Sequence, residues 1–206
     1  MIEGLMTGLA DVIAAHNRAP KITAIIPARG GSKRLSRKNI YPIWGKPMLS
    51  WSIKAAKQSK LISDVWVSTE DEEIIKVASE FGAKIHRRDP KLSEDHVFKM
   101  EAIRSAVEYI EDNFQESQVY VSLQANSPEI TSSILDDAIG EFIKHDRNEL
   151  ISVDMNLMQN AAVRIMKSGY VYQKDLSVKT GAYICNVHDV HTIEDVEFIE
   201  SRTKRD

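Results

Sequence analysis

From Lys21 onward the chain switches repeatedly between two hydrophobic periods. Short apolar, β-branched runs occur at 22–27, 64–69, 83–86, 119–123, 150–153 and 181–186. Between them lie longer stretches in which apolar residues recur every three or four positions. The short runs predict buried strands, and the longer stretches predict helices over 47–60, 70–81, 96–113, 132–145 and 194–202. Local chemistry agrees. Pro47 suits the first turn of a helix, the acids Glu70 to Glu73 suit a helix N-terminus, and Gly82 suits a stop. Strand and helix in alternation imply βαβ units, so the pattern predicts an α/β fold: a mostly parallel sheet, helices on both faces, and a ligand site at the carboxyl ends of the strands.

Two stretches depart from this alternation. Residues 1–20 carry Leu5, Leu9, Val12 and His16 at helical spacing and end at Pro20, which predicts an amphipathic helical extension ahead of a main domain at 21–206. Residues 154–180 have mixed patterning; 163–165 and 170–172 could be the arms of a small hairpin about Ser168 and Gly169.

Composition narrows the class of molecule. With 206 residues and a net charge of −3, nothing in the overall balance points to nucleic acid, so any anion site must come from local placement. Glu3 and Asp11 interrupt the apolar N-terminus, and no apolar stretch approaches the length of a membrane span, so neither a leader nor a membrane partner is expected. Cys185 is the single cysteine; it excludes an internal disulfide, is consistent with a cytoplasmic location and is expected as a small buried hydrophobe.

Candidate chemistry concentrates where the first strand ends. Gly30 and Gly31 let backbone amides approach an anion, Ser32 adds a hydroxyl, and Arg29, Lys33, Arg37 and Lys38 crowd positive charge into a chain that is acidic overall. The order G-x-x-x-x-G-K-[ST] is missing, and so is the third glycine of the dinucleotide fingerprint. Composition therefore leaves two readings open, a polyphosphate cradle and a solvated basic turn.

A wider resemblance bears on that choice. Ile25-Ile-Pro-Ala-Arg-Gly-Gly-Ser-Lys-Arg-Leu-Ser-Arg-Lys-Asn-Ile40, followed by Gly45-Lys-Pro47, resembles the N-terminal signature of the acylneuraminate cytidylyltransferases, including their pseudaminic and legionaminic acid branches. Val67-Ser-Thr-Glu-Asp-Glu-Glu-Ile74, Leu92-Ser-Glu-Asp95, Leu123-Gln-Ala-Asn-Ser-Pro128, Gly181-Ala-Tyr-Ile184 and Asp189-Val-His-Thr-Ile-Glu-Asp195 are similar, in order, to further blocks of that family.

The resemblance implies a three-layer, Rossmann-like nucleotidyltransferase fold in which residues 154–180 form a dimerisation arm. It also implies transfer of CMP from CTP to a 2-keto sugar acid with release of pyrophosphate. Carried over residue by residue, Ala28 and Arg29 would meet the nucleotide, Gly30, Gly31, Ser32, Lys33 and Lys38 the phosphates, and Asn39 the nucleotide sugar or α-phosphate. Arg29, Lys33 and Asp189 are the catalytic candidates, Gln124 the substrate contact, and Asp189 the ligand of Mg²⁺ or Mn²⁺ in a homodimeric enzyme. The chain departs from the family pattern at His191, where a second metal-binding aspartate is usual, and Asp195 is one carboxylate that could substitute. It departs again at Ala125, Asn126, Glu129 and Thr180, which bears on the acceptor. Arg164 and Lys167 are candidates for holding the acceptor's carboxylate or, equally, solvated charges. A sugar 1-phosphate transferase of the same fold and a catalytically impaired nucleotide-binding relative are the alternative functions.

Overall fold

The computed structural model describes residues 20–202; the helix expected over residues 1–20 lies outside the described residues. The strands are β1 (Ile22–Pro27), β2 (Pro42–Ile43), β3 (Lys46–Pro47), β4 (Asp64–Thr69), β5 (Lys84–Arg87), β6 (Val119–Leu123), β7 (Glu149–Val153), β8 (Gln159–Lys167) and β9 (Thr180–Ile184). The helices are α1 (Met48–Gln58), α2 (Glu72–Glu80), α3 (Lys99–Asn113), α4 (Ser132–Lys144) and α5 (Ile193–Arg202). Seven strands form one sheet in the order β5-β4-β1-β6-β8-β7-β9. Every pairing in it is parallel except the two made by β8, so six strands run in one direction. The chain moves outward from β1 through β4 to β5, then returns to β6 on the other side of β1. This reversal is a topological switch point, where neighbouring loops splay apart and leave a crevice.

Side-chain alternation along β1 divides the core into two layers. Ile22, Ala24 and Ile26 pack with Leu49 and Ile53 of α1, Ile74 and Ala78 of α2, and Leu135, Ile139 and Phe142 of α4. Ile25 faces the other way, with Trp66 and Tyr120 of neighbouring strands, against Ile103, Val107 and Ile110 of α3. The result is the three-layer arrangement expected. A third cluster joins Leu35, Ile43, Met48 and Trp51 to Val190, Val196 and Ile199, which fastens α5 beneath the segment after β1. Cys185 is buried, and burial pushes its thiol up to about 11, which keeps it protonated and inert.

Residues 154–180 differ from expectation. Residues 163–165 belong to β8, which lies inside the sheet between β6 and β7, and residues 170–172 are not a strand. Val171 is buried against the α3 layer, while Arg104 donates to the carbonyls of Val171 and Gln173 at 3.0 and 2.7 Å. Those carbonyls need no strand partner, so the expected hairpin does not form. A separate hairpin that the pattern did not predict joins β2 to β3; Trp44 and Gly45 both have positive φ (49° and 74°), the geometry of a two-residue primed turn.

His86 of β5 is buried, with Nδ1 3.0 Å from the Ser68 hydroxyl. Burial and then the charge of Arg88 push its pKa from 6.5 down to about 4. Between those values the unfolded chain takes up a proton that the folded chain refuses. Stability is therefore full above about 6.5 and falls as pH drops toward 4. Urea denaturation across this window is expected to show that loss. In His86→Gln the slope with pH is expected to flatten; an unchanged slope would assign it to other groups.

Candidate active site

Because β1, β4, β5, β6 and β9 share one direction, the segments that follow them meet at one edge of the sheet. A cleft of about 270 Å³ opens there, and its wall includes Arg29, Gly31, Ser32, Lys38, Asn39 and Gln124. These six were singled out from sequence, and they come from both sides of the switch point. The other four stand around the cleft. Ala28 is buried, its amide continuing the β1–β4 ladder to Ser68 O at 2.9 Å. Gly30, Lys33 and Asp189 lie next to the lining residues and act through the contacts below.

The basic loop keeps its shape through carboxylates from other elements. The Gly30 amide donates to Glu70 Oε1 at 2.8 Å, and a Cβ at Gly30 would collide with the Asp71 carboxylate, so this position requires glycine. Asp71 caps α2 through the amides of Glu73 and Ile74 and also receives a two-pronged contact from Arg37 at 2.7 and 3.0 Å. Arg37 itself adopts φ 55°, a conformation that this contact holds. Asn39 donates to Arg29 O at 2.9 Å, which closes the loop on itself.

Asp95 sits across the entrance. It accepts from Arg29 Nη1 at 2.8 Å and pairs with Lys33, and these two contacts lower its pKa. Behind it, Glu70 is held by Arg88, at 3.0 Å, and by the Ser93 hydroxyl. Burial alone would raise the pKa of Glu70; the bonds from Ser93 and Gly30 and the charge of Arg88 overcome it and keep the group ionised. The loop thus has internal anions on Arg29, Lys33 and Arg37 and on one of its amides. Lys38 is different, lining the cleft with its pKa lowered by desolvation and by the neighbouring Arg34 and Arg29.

At the other side Gln124 follows β6. Its Nε2 donates to Asp189 Oδ2 at 2.9 Å, and the Ser127 hydroxyl donates to the other oxygen of that carboxylate. Burial raises the pKa of Asp189, while Ser127, His191 and Lys99 oppose the rise. His191 does not extend this carboxylate toward a metal. Its Nδ1 lies 3.0 Å from Arg34 Nη2, and because a guanidinium only donates, Nδ1 is the acceptor. Burial, then Lys38 and Arg34, lower the pKa of His191 and favour that neutral form. Asp195 is also committed. Its oxygens accept from His188 Nε2 at 2.7 Å and from the amides of His191 and Thr192 at 2.8 and 2.9 Å, the back-bonding half of a helix cap for α5. Among the described residues no three His, Cys, Asp or Glu side chains gather as a metal cage. Asp189 offers one carboxylate near the basic loop, a donor set that would suit a hard cation arriving bound to phosphate and keeping its waters.

Three participants were not singled out from sequence. Arg34 is a fifth cation in the same loop. Arg88 directly follows β5, where a basic residue is commonly a solvated surface charge. Lys99 had a local signal, since it opens α3, and a cation at a helix N-terminus opposes the helix dipole.

An α/β sheet with a basic loop after its first strand and its cleft at the switch point defines a nucleotidyltransferase-type domain. The cytidylyltransferase family model matches residues 23–199, and the chain belongs to that family. Over 138 residues it is 39% identical to an N-acylneuraminate cytidylyltransferase A of Danio rerio, an alignment covering 67% of this chain and 31% of the relative. Over 133 residues it is 38% identical to a pseudaminic acid cytidylyltransferase of Campylobacter jejuni subsp. jejuni serotype O:23/36 (strain 81-176), covering 64% and 57%. The matches therefore span roughly a third to just over half of these relatives. The fold is also that of a CMP:2-keto-3-deoxy-manno-octonic acid synthetase complexed with CTP, with a TM-score of 0.70 at 18% identity over 88% of this chain and 97% of that one.

The geometry makes Asp95 a competitor of any polyphosphate for Arg29 and Lys33. Asp95→Asn is expected to tighten inorganic triphosphate binding by about twofold to fivefold, the scale of an exposed ion pair. Calorimetric titration reads this directly; unchanged or weaker binding would show that the carboxylate does not compete.

Proposed function

We propose that this chain transfers CMP from CTP to the anomeric hydroxyl of a nonulosonic, sialic-acid-like 2-keto sugar acid, with release of pyrophosphate. The observation that carries this reading is the cleft itself, with a five-cation loop on one side of the switch point and Gln124 with Asp189 on the other. The relatives, N-acylneuraminate and pseudaminic acid cytidylyltransferases, supply the substrate class.

In the proposed reaction the anomeric oxygen attacks the α-phosphorus in line. The new oxygen–phosphorus bond forms as the bond to the β-phosphate oxygen breaks; pyrophosphate leaves with the electron pair, and the hydroxyl proton passes to solvent. Such a step depends on positioning and on neutralising charge in the leaving group. Arg29, Lys33 and Lys38 provide that neutralisation, and the amides of Gly30 and Gly31 with Ser32 orient the phosphates. Asn39, tied to Arg29 O, places the nucleotide sugar or α-phosphate, and Ala28 fixes the start of the loop. Gln124 orients the acceptor. Mg²⁺, or Mn²⁺, would be held by Asp189 together with the triphosphate, and would supply positive charge to offset that of the phosphates. The reading includes a cytoplasmic homodimer. Support for the assembly is the exposure of apolar side chains in two loops, Met155, Leu157 and Met158 before β8 and Leu176 and Val178 before β9.

A pyrophosphate-release assay with CTP, Mg²⁺ and N-acetylneuraminic or pseudaminic acid is expected to show turnover. Lys33→Ala is expected to lower kcat/KM by roughly tenfold to a thousandfold, the range for losing a charged phosphate contact. Asp189→Asn is expected to remove the dependence on metal together with most activity. Release with a sugar 1-phosphate and none with a 2-keto acid would replace this reading by the phosphate-acceptor one. Nucleotide binding without release from any acceptor would make the chain a non-catalytic relative.

A further inference from the structure

Lys99 belongs to the cleft but not to the phosphate loop. It is the first residue of α3, and its Nζ lies 3.3 Å from Gln124 Oε1 and 3.4 Å from the carbonyl of Ala161. Ala161 is near the start of β8, the one antiparallel strand, which brings its N-terminal end to the ligand edge of the sheet. Both partners of Lys99 are neutral oxygens. Four cations line the cleft wall, and Lys99 is the one outside the loop that lacks a carboxylate within ion-pair distance among the described residues. Arg29 has Asp95, Arg88 has Glu70, and Lys38 belongs to the loop itself.

The two charges that the sequence pattern offered for an acceptor carboxylate are already committed. Arg164 binds Glu149, a carboxylate that is 3% exposed, through Nε at 2.5 Å, and Lys167 pairs with Asp146 at 2.7 Å. A 2-keto sugar acid brings a second anion into a cleft whose loop is matched to phosphates. That anion needs a cation on the Gln124 side.

We propose that Lys99 is the residue that anchors the acceptor's carboxylate, with Gln124 as the bridge that fixes its ammonium relative to Asp189. The inference rests on the cytidylyltransferase reading above and adds the basis for choosing an acid over a neutral acceptor. Gln124 accepts from Lys99 through Oε1 and donates to Asp189 through Nε2, so one amide sets the spacing between the cation for the acceptor and the carboxylate at the nucleotide. Lys99 is exposed at the cleft, so an arriving carboxylate can reach its ammonium in a charge-assisted contact. The position also has a local cost against the dipole of α3, which an arriving carboxylate relieves.

The test compares wild type, Lys99→Gln and Lys99→Arg with N-acetylneuraminic acid, pseudaminic acid and the carboxamide of N-acetylneuraminic acid. Three quantities are read: CTP affinity by calorimetry, and KM and kcat for each acceptor. For Lys99→Gln the expected result is a KM for the acids raised about tenfold to a hundredfold, the scale of one charge-assisted hydrogen bond. CTP affinity is expected to stay with that of wild type, and the wild-type preference for acid over carboxamide is expected to vanish. Lys99→Arg is expected to restore much of the KM. If Lys99→Gln loses CTP affinity in parallel, or keeps its preference for the acid, the assignment is overturned while the enzyme's function stands. If wild type releases no pyrophosphate with either acid, the functional reading beneath the assignment fails with it.

Discussion

Five like charges between Arg29 and Lys38 repel one another, and the segment can hold one shape only if anions are brought to it. The chain supplies them from neighbouring strand ends: Glu70 and Asp71 after β4, and Asp95 after β5. Asp71 does two jobs, capping α2 and holding Arg37, so the helix start and the loop conformation depend on one carboxylate. Parallel strand direction is what makes this arrangement reachable, since it delivers every one of these segments to the same edge. The loop cations are thereby held in place, three of the five, Arg29, Lys33 and Arg37, by carboxylates that a stronger anion would have to displace.

The opposite side of the cleft follows a different logic. Here polar groups form a short chain from Lys99 through Gln124 to Asp189 and Ser127, with two of the four bearing opposite charge. His191 and Asp195 are turned to structural use, the first against Arg34 and the second as part of the cap of α5. In the proposed reaction a single carboxylate, Asp189, would be enough only for a cation that brings most of its own ligands, with the triphosphate supplying them.

Much of this was legible in the sequence, for identifiable reasons. Strands such as Val119–Leu123 are buried at every position and mostly apolar because they are covered on both faces, and the helices between them keep a clean period. The loop was visible because its glycines and cations are contiguous. β8 was not, because Gln159 to Ala162 has little strand character and its place in the sheet comes from pairing with β6 and β7 far along the chain. The same limit hid the counter-charges: nothing local in Leu92-Ser-Glu-Asp95 says that its aspartate reaches Lys33. Arg164 and Lys167 illustrate the converse, since a basic residue on a strand looks available until its buried or neighbouring carboxylate is located. For Lys99 a signal did exist, the wrong charge at a helix start.

In the proposed function the basic loop is a triphosphate site held ready by internal anions. A crystal structure with CTP and Mg²⁺ tests it most directly. The account predicts phosphates against the Gly30 and Gly31 amides and against Lys33 and Lys38, with Asp95 released from Lys33 and the Gly30 amide turned from Glu70 to phosphate. A triphosphate bound elsewhere, or one bound while Asp95 still bridges Arg29 and Lys33, would contradict it.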